Sequence, residues 1–308
     1  MSPLLARCAR SSIRALLFLL PVIACKPDLD ERVSIVEDVR ILAVRAEPPE
    51  AAPLDEAVTY SLLVAGPDGP LEVAASFSYC VTPKLLTENG AVSASCQRLQ
   101  QGVVLPIGDA VGSIAALVPP EACFSFGPEV KDAGLRPRDP DLTGGFYQPM
   151  RAVVLARDGS PRIAFGFERL RCKLANAPAD VVTAFTRDYK RNVNPSIATL
   201  EASTPFDAIP RGARVTLRAT WRPEDAEAYV AFDPRAQAVV PRREAMRVSW
   251  YATGGAFEHD RTGREETDTA NATENTWTAP DAAKATLWAV LRDSRGGVGF
   301  FVQPVTLR

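Results

Sequence analysis

Apolar and polar residues alternate with a period of two along several short stretches of this chain. In residues 57–64 and 214–221 every second side chain is apolar, and many of the others are polar. A strand with this pattern has one face on a core and the other face in solvent. The pattern therefore predicts antiparallel sheets that pack as β-sandwiches.

The same pattern occurs twice along the chain. Residues 41–49 align with residues 197–205, and each segment is an alternating strand that ends in a proline. Residues 153–165 align without gaps on residues 288–300, and each of these segments is typical of a strand, an Arg-Asp turn and a second strand. Self-similarity of this kind indicates a duplicated structural unit.

We predict an all-β protein with two tandem immunoglobulin-like antiparallel β-sandwich domains, at residues 35–172 and 195–308. The strand number, size and turn spacing of each unit suit this fold. The strand order stays open, because periodicity does not fix it. Residues 173–194 form the linker. Within it, apolar positions between 181 and 189 fit either a short helix or an irregular segment.

The first 24 residues have the parts of a secretory signal. Three arginines precede an apolar run at residues 15–24, and no acidic residue occurs before Asp28. The run is too short for a membrane-spanning helix, which needs about 20 residues to cross about 30 Å of hydrocarbon. We therefore predict that residues 1–24 are a cleaved signal peptide.

Cys25 follows the apolar run directly, after Val22, Ile23 and Ala24. This arrangement resembles the lipobox of bacterial lipoproteins. The alternative is an ordinary signal cleavage site, at which Cys25 would have no special role. The resemblance implies that Cys25 carries a thioether-linked diacylglycerol and an acylated amino group, such as a palmitate amide. Residues 25–34 would then be a lipidated tether, held at the membrane by more than one acyl chain.

The chain also resembles envelope lipoproteins that carry tandem immunoglobulin-like domains. The likeness rests on the lipobox, on residues 40–49, and on residues 277–280 with the strand that follows them. It implies a location in the bacterial cell envelope, anchored to the membrane through Cys25. Lys26, where an Asp would favour retention in the inner membrane, favours the outer membrane.

Four cysteines remain in the mature chain besides Cys25. An even number in an exported protein is typical of disulfide bonds. Three pairings are possible, and we favour Cys80–Cys96 together with Cys123–Cys172, because the first pair would close one polar loop. The long spacings argue against a metal site.

Composition agrees with a folded β protein. Hydrophobic residues make up 46% of the chain, and 26 prolines argue against long helices. Of the 35 Lys and Arg residues, three belong to the leader, so the mature chain has 32 of them against 37 Asp and Glu, a formal net charge of −5. Because no basic cluster stands out in the sequence, we do not expect nucleic acid as a partner.

Candidate catalytic chemistry is sparse. We interpret His259, the only histidine, as a solvated side chain, because the adjacent Asp260 would point to the opposite face of a strand. The glycine-rich residues 296–299 lack the Lys-Ser/Thr of a phosphate loop and indicate a hairpin turn. Three aspartates within residues 127–145 do not have calcium-loop spacing. We predict no catalytic residue, no metal and no cofactor.

The leading functional hypothesis is a non-enzymatic, lipid-anchored structural or protein-interaction module with an envelope partner. A second hypothesis is carbohydrate or cell-wall binding through Trp250, Tyr251 and Trp277, if these aromatic side chains share an exposed face. A third is an envelope hydrolase with a pair of carboxylates in a deep pocket. An immunoglobulin-like fold by itself favours none of the three.

Overall fold

A computed structural model of the protein describes residues 33–85, 87–98, 104–128 and 140–308. Antiparallel strands dominate this part of the chain, and its three α-helices are short. The all-β, antiparallel sandwich fold predicted from the sequence is therefore confirmed. The predicted signal peptide and Cys25 lie outside the described residues.

The first sandwich consists of two facing sheets. Its strands are β1 (Arg40–Glu47), β2 (Glu50–Ala51), β3 (Ala57–Gly66), β4 (Gly69–Leu71), β5 (Ala74–Cys80), β6 (Val104–Val111), β7 (Ser113–Leu117), β8 (Tyr147–Leu155) and β9 (Pro161–Leu170). One sheet has the order β1-β3-β4, with β7 also paired to β3, and the other has the order β2-β9-β8-β5-β6. The one-turn helices α1 (Ala94–Gln97) and α2 (Ala122–Ser125) lie in connections between strands.

The second sandwich follows the helix α3 (Ala179–Asp188). Its strands are β10 (Ile197–Ala202), β11 (Arg214–Trp221), β12 (Ala228–Asp233), β13 (Ala238–Arg243), β14 (Met246–Ala252), β15 (Ala256–Phe257), β16 (Arg261–Arg264), β17 (Ala272–Thr278), β18 (Lys284–Asp293) and β19 (Val298–Thr306). The two sheets have the orders β10-β11-β17-β15 and β16-β14-β18-β19, while β12 and β13 form a separate hairpin.

The duplication seen in the sequence is also a duplication of topology. In each sandwich, three strands form one sheet (β1-β3-β7 or β10-β11-β17) and four strands form the other (β9-β8-β5-β6 or β19-β18-β14-β16). Even an irregularity is repeated, since the register shifts between Ile41 and Ala43 and between Ile197 and Thr199. The remaining elements, β2, β4, β15 and the β12–β13 hairpin, are additions to this shared plan.

Each sandwich has its own apolar core between its two sheets. Tyr60, Phe77 and Met150 are buried in the first core. Trp221 and Trp250 are among the largest side chains in the second. The cores are therefore made by facing sheets within each half of the chain, as the alternating pattern requires.

A third apolar layer joins the two sandwiches. The β1-β3-β7 sheet of the first sandwich faces the β16-β14-β18-β19 sheet of the second across this junction layer. The buried members of the layer are Val36, Leu42, Ala43, Leu63, Ala65, Tyr251, Trp288, Val290 and Val298. Strands β3 and β18 contribute to a sandwich core on one face and to the junction layer on the other. The expectation of one solvated face is therefore wrong for these strands.

The chain enters the described body along the second sandwich, before it forms the first. Ser34 and Val36 hydrogen-bond with Ala252 at the end of β14, with N···O distances of 2.9 and 2.8 Å. The pairing is parallel to β14. The hydroxyl of Ser34 also donates to Asp260, just before β16. This segment thus fastens the start of the first sandwich to the second.

Both disulfides of the favoured pairing are present. Cys80 at the end of β5 is joined to Cys96 in α1, with 5.5 Å between their Cα atoms. Cys123 in α2 is joined to Cys172, just after β9, with a Cα–Cα distance of 5.7 Å. Each disulfide bond therefore fastens a connection between strands to the first sandwich, and neither bond joins its two sheets directly.

The junction layer predicts that the two sandwiches unfold together. All four tryptophans lie in the second sandwich, so tryptophan fluorescence reports its unfolding alone. Leu63→Ala, in the first sandwich, should lower the stability reported by that fluorescence by about 3 kcal/mol, because it leaves a cavity in the shared layer. Leu117→Ala is the matched control, since Leu117 lies on the same face of the same sheet but is 48% exposed. An unchanged denaturation midpoint in Leu63→Ala would mean that the second sandwich unfolds independently.

Candidate functional site

Residues 190–196 run between the two sandwiches, and we call them the strap. On the first sandwich, the carboxylate of Glu50 accepts a hydrogen bond from the backbone N–H of Asn192 at 3.0 Å. On the second, the side-chain oxygen of Asn194 accepts from the backbone N–H of Val298 at 2.8 Å. The strap is thus not a loose linker, because it forms hydrogen bonds with both sandwiches.

Arg295 is the charged centre of the second sandwich at the junction. Its side chain is fully buried and donates to Glu244 at 2.6 Å and to Glu227 at 2.7 Å. A third donor reaches the backbone carbonyl of Lys190 in the strap at 2.7 Å. The guanidinium also lies 4.4 Å from the ring centre of Tyr229. One side chain therefore connects the sandwich, the strap and the β12–β13 hairpin.

The carboxyls beside Arg295 titrate in an unusual environment. Burial raises the pKa of Glu244 to about 8, although Arg295 opposes this shift. Burial also raises the pKa of Asp293, even though this carboxyl accepts backbone hydrogen bonds from Arg295 and Gly297 at 2.8 Å each. Desolvation outweighs the favourable partners in both cases.

Arg169, near the end of β9, is the charged centre of the first sandwich at the junction. Its guanidinium donates to the hydroxyls of Thr143 at 2.7 Å, Tyr147 at 2.9 Å and Tyr189 at 3.3 Å. The carboxylate of Glu50 lies 3.9 Å away and also accepts a hydrogen bond from Tyr189. Burial opposes the charge on Arg169, but these oxygens outweigh it and raise the pKa of the guanidinium.

A cleft opens beside Arg169, at the junction of the two sandwiches. Its volume is about 380 Å³. Its walls come from the end of β9 and the segment after it, from α3, and from the β12–β13 hairpin. Apolar and cationic side chains line it, among them Phe146, Leu170, Phe185, Phe232, Arg171 and Lys173. We call it the junction cleft.

The polar groups at the base of the junction cleft are already used by the fold. Both oxygens of Glu50 accept a hydrogen bond from Tyr189 at 2.8 Å, and one of them also accepts from Asn192. Arg169 has four donated bonds to residues of the first sandwich and to Tyr189. The arrangement can therefore hold an apolar or acidic group, while its charged side chains keep structural partners.

Helix α3 forms one wall of the cleft and has no fully buried residue. Phe185 and Tyr189 stack with their ring centres 4.7 Å apart, which gives the helix an aromatic face toward the cleft. A helix of ten residues is marginal in water unless tertiary contacts support it. The sequence left helix and irregular linker as equal alternatives, and the structure contains the helix.

Glu168 lies inside the first sandwich, next to this group of residues. It is fully buried opposite Gln148, and neither of its carboxyl oxygens has a hydrogen-bond partner among the described residues. Burial, helped by the negative charge of Glu50, raises the pKa of Glu168 to about 9. Such a group is neutral at pH 7, and a neutral carboxyl is much less costly to bury than a carboxylate.

The three aromatic residues proposed from the sequence as ligand contacts are all buried. Trp250 and Trp277 lie in the core of the second sandwich, and Tyr251 lies in the junction layer. Their exposed fractions are 1%, 0% and 8%, so they form no open platform for a sugar. The prediction of a carbohydrate surface at these residues is therefore wrong. Neighbouring strand positions face opposite sides, but β14 is covered on both.

The other sequence candidates fall in ordinary structural positions. His259 is exposed, and its backbone pairs with the side chain of Asn275. Residues 296–297 lie in the turn between β18 and β19, and residues 298–299 begin β19. Asp141 accepts backbone hydrogen bonds from Thr143 and Gly145, as a turn residue does. Within the described ranges, no three His, Cys, Asp or Glu side chains are grouped to hold a metal ion.

Sequence reasoning missed the residues of this site because they are distant along the chain. Glu50 and Arg169 meet through the pairing of β2 with β9, and Arg295 comes near Arg169 only after the sandwiches pack. The sequence did contain one signal for the site. Arg295 precedes Gly296 and Gly297 in a turn between two apolar strands, where an arginine is unusual. A second signal was the charged pair Glu168 and Arg169 near the end of β9, directly after the uncharged residues 163–167.

Comparisons with known proteins find likeness only at the level of fold. No protein-family model matches the chain, and no curated protein matches it. Among solved structures, the D0-D1 domain of intimin aligns with 14% identity and a TM-score of 0.22, covering 87% of this chain and 98% of that chain. The D00-D0 domain of intimin aligns with 8% identity and a TM-score of 0.26, covering 88% and 98%.

A third structure, of the fibronectin(III)-like modules of Clostridium thermocellum CbhA, aligns with 10% identity and a TM-score of 0.23, covering 86% of this chain and 94% of that chain. These values are too low to carry an argument about function. Separately, none of the helices among the described residues is long and apolar enough to cross a membrane.

Glu168 makes the stability of the protein depend on pH. Its pKa is about 9 in the folded state against an ordinary value of 4.5, so the folded state binds the proton more tightly. The stability that comes from the protonated Glu168 carboxyl is fully present below pH 4.5 and is lost as the pH rises toward 9. Glu168→Gln, which mimics the neutral acid, should therefore be more stable than the wild type by about 3 kcal/mol at pH 7.

Chemical denaturation at several pH values between 4.5 and 9 would test this expectation. The difference between Glu168→Gln and the wild type should widen steadily as the pH rises. Glu201→Gln, at an exposed position on β10, is the matched control and should follow the wild type throughout. A constant difference for Glu168→Gln across the range would contradict the assignment.

Proposed function

We propose that this protein is a lipid-anchored, non-catalytic component of the bacterial cell envelope that binds an envelope partner at the junction cleft. The observation that carries the proposal is the junction itself. Two sandwiches are locked together by a shared apolar layer and a hydrogen-bonded strap, and a cleft with apolar walls opens at the line where they meet. Clefts between packed units are common positions for binding sites.

The anchor is supported by the sequence around Cys25 and by the cysteines of the body. A basic and then apolar leader ends at Cys25. Both disulfides belong to residues 80–172, and structural disulfides are typical of exported proteins. An envelope location with a lipid on Cys25 accounts for both observations.

Binding is favoured over catalysis by the state of the polar groups in the cleft. Glu50 and Arg169, the buried charged residues that line it, keep structural hydrogen-bond partners. The carboxyl of Glu168 is enclosed in the core and has no exposed surface, so it is not a second acid in the cleft. A hydrolase with two facing carboxylates gains no support from this arrangement.

The character of the cleft indicates the chemistry of the partner. Phe146, Phe185 and Phe232 offer apolar surface, and Lys173 places an exposed positive charge at the rim. A segment with apolar side chains and acidic neighbours would match this surface. We therefore propose an envelope protein segment, not a sugar, as the occupant.

Replacement of Cys25 tests the anchor. Cys25→Ser should move the protein from the membrane fraction to the soluble fraction of the envelope, because no acyl chains can then be attached. Cys8→Ser, within the leader, is the matched control and should leave the protein in the membrane fraction. Membrane retention of Cys25→Ser at the wild-type level would refute lipidation at this residue.

Site-specific crosslinking tests the cleft. A photoreactive side chain in place of Lys173 should give a higher-mass adduct in the intact envelope, and the same group in place of the exposed Lys284 on β18 should not. Phe232→Asp should abolish the adduct by placing a charge on the apolar wall. Equal adducts from both lysine positions, or an adduct that survives Phe232→Asp, would mean that the partner does not occupy the cleft.

A further inference from the structure

The β12–β13 hairpin is a two-stranded sheet that pairs with no other strand of the described residues. Tyr229 and Ala231 on β12 are buried, and the ring centre of Tyr229 lies 4.4 Å from the guanidinium of Arg295. Gly144 approaches Ala231 so closely that a Cβ at Gly144 would lie 3.0 Å from that of Ala231. One face of β12 thus seats the hairpin on the junction, and the first sandwich has no counterpart of this element.

The pairing within the hairpin decides which backbone groups of β12 are free. The N–H of Glu244 donates to the carbonyl of Glu227 at 3.0 Å, just outside the two strands. Hydrogen-bonded and non-hydrogen-bonded pairs alternate along an antiparallel ladder. Val230 and Pro241, an odd number of pairs further along, therefore form a non-hydrogen-bonded pair, and Phe232 lies in the next such pair. The N–H and C=O groups of Val230 and Phe232 thus point away from β13.

The junction cleft runs along this free edge of β12. Val230, Ala231 and Phe232 are consecutive in the chain, and all three line the cleft. Since consecutive side chains of a strand point to opposite faces, a surface formed by three in a row lies at the edge of the strand, where its backbone groups are. Among the residues that the structure describes, none is hydrogen-bonded to the outward N–H or C=O of Val230 or Phe232.

The two edges of the hairpin differ in how they are protected. An unpaired strand edge is a template for pairing with another chain, and proteins block such edges with proline or with charged side chains. The outward positions of β13 are 239, 241 and 243, which hold Val, Pro and Arg. The outward positions of β12 are 228, 230 and 232, which hold Ala, Val and Phe. The edge that lines the cleft is thus the one left open for pairing.

A second stretch of unpaired backbone also lines the cleft. Residues 172–175 follow β9, and none of them makes a backbone hydrogen bond with another described residue. Lys173, within this stretch, is exposed. The cleft therefore presents unpaired backbone donors and acceptors from two parts of the chain, together with a positive charge.

We infer that the envelope partner binds as an extended segment that adds a third strand to the β12–β13 hairpin, along the edge of β12. This inference rests on the proposed function, because it names the way in which a partner occupies the junction cleft. Strand addition takes its affinity from main-chain hydrogen bonds and its specificity from alternate side chains. Apolar side chains at every second position would lie beside Val230 and Phe232, and an acidic neighbour would match the charge of Lys173.

A polypeptide suits this edge better than a lipid or a sugar does. Outward N–H and C=O groups recur at every second residue of β12, and an extended polypeptide presents the complementary series of acceptors and donors. A fatty acyl chain in the cleft would bury these groups without any hydrogen bond, which is costly. The aromatic residues that line the cleft, such as Phe232, instead favour a segment with apolar side chains.

Amide hydrogen exchange, measured residue by residue by NMR, tests whether the edge of β12 is open in the free protein. In the mature chain with Cys25→Ser, the amides of Tyr229 and Ala231, which face β13, should exchange at least about a hundredfold more slowly than those of Val230 and Phe232. Equal protection of all four amides would mean that the edge is already paired, and would overturn the inference. This measurement needs no change in the hairpin itself.

Crosslinking in the intact envelope, from a photoreactive side chain in place of Lys173, tests strand addition itself. Val230→Pro removes an outward N–H of β12 and no bond to β13. It should lower the yield of the adduct at least about fivefold, since one lost hydrogen bond corresponds to about 1 kcal/mol. The matched control is Val239→Pro, which removes an outward N–H from the other edge of the hairpin. Val230→Ala keeps the N–H, and both controls should stay within about twofold of the parent.

The outcomes separate strand addition from the proposed function. If the probe in place of Lys173 gives no adduct in the otherwise unchanged chain, the proposed function fails and strand addition fails with it. If the adduct survives Val230→Pro, or is lost equally in Val239→Pro, strand addition alone is refuted. An adduct with the mass of two copies of this chain would make a second copy the occupant, and would also overturn the inference.

Discussion

The structure depends on the burial of two arginines where the sandwiches meet. Arg295 and Arg169 are both fully or almost fully buried, and each satisfies its guanidinium with partners that come from distant parts of the chain. If the acidic partner of such a buried arginine is removed, an uncompensated charge is left, which typically costs about 3–5 kcal/mol of stability. The strap, the cleft and the hairpin are all positioned by these two side chains.

The aspartates of a duplicated turn have pKa values shifted in opposite directions, because one copy of the turn is buried. In the first sandwich, Asp158 accepts hydrogen bonds from Ser160 at the exposed turn between β8 and β9, and these bonds lower its pKa. In the second, Asp293 accepts a bond from the backbone of Arg295 in the equivalent turn, but burial raises its pKa. The local motif is the same in both copies. The junction supplies the desolvation that reverses the shift.

The sequence was sufficient for the fold and insufficient for the site, for a physical reason. Periodicity and internal repeats are local signals, so the sandwiches, the duplication and both disulfide partners could be predicted. The junction layer depends on which faces pack, and the sequence signal for it is weak: β18 has an apolar run from Leu287 to Leu291, which is typical of a strand covered on both sides. The wrong prediction for Trp250 and Tyr251 has the same cause, because β14 is also covered on both faces, whereas Trp277 lies on the core face of β17.

The junction cleft places a demand on the junction that the strap satisfies. A binding cleft between two sandwiches keeps its shape only if the sandwiches hold a fixed position relative to each other. Hydrogen bonds that Asn192 and Asn194 make with both sandwiches hold this relative position. A duplicated fold has thereby become a single unit, in which the junction cleft keeps a fixed position between the two sandwiches.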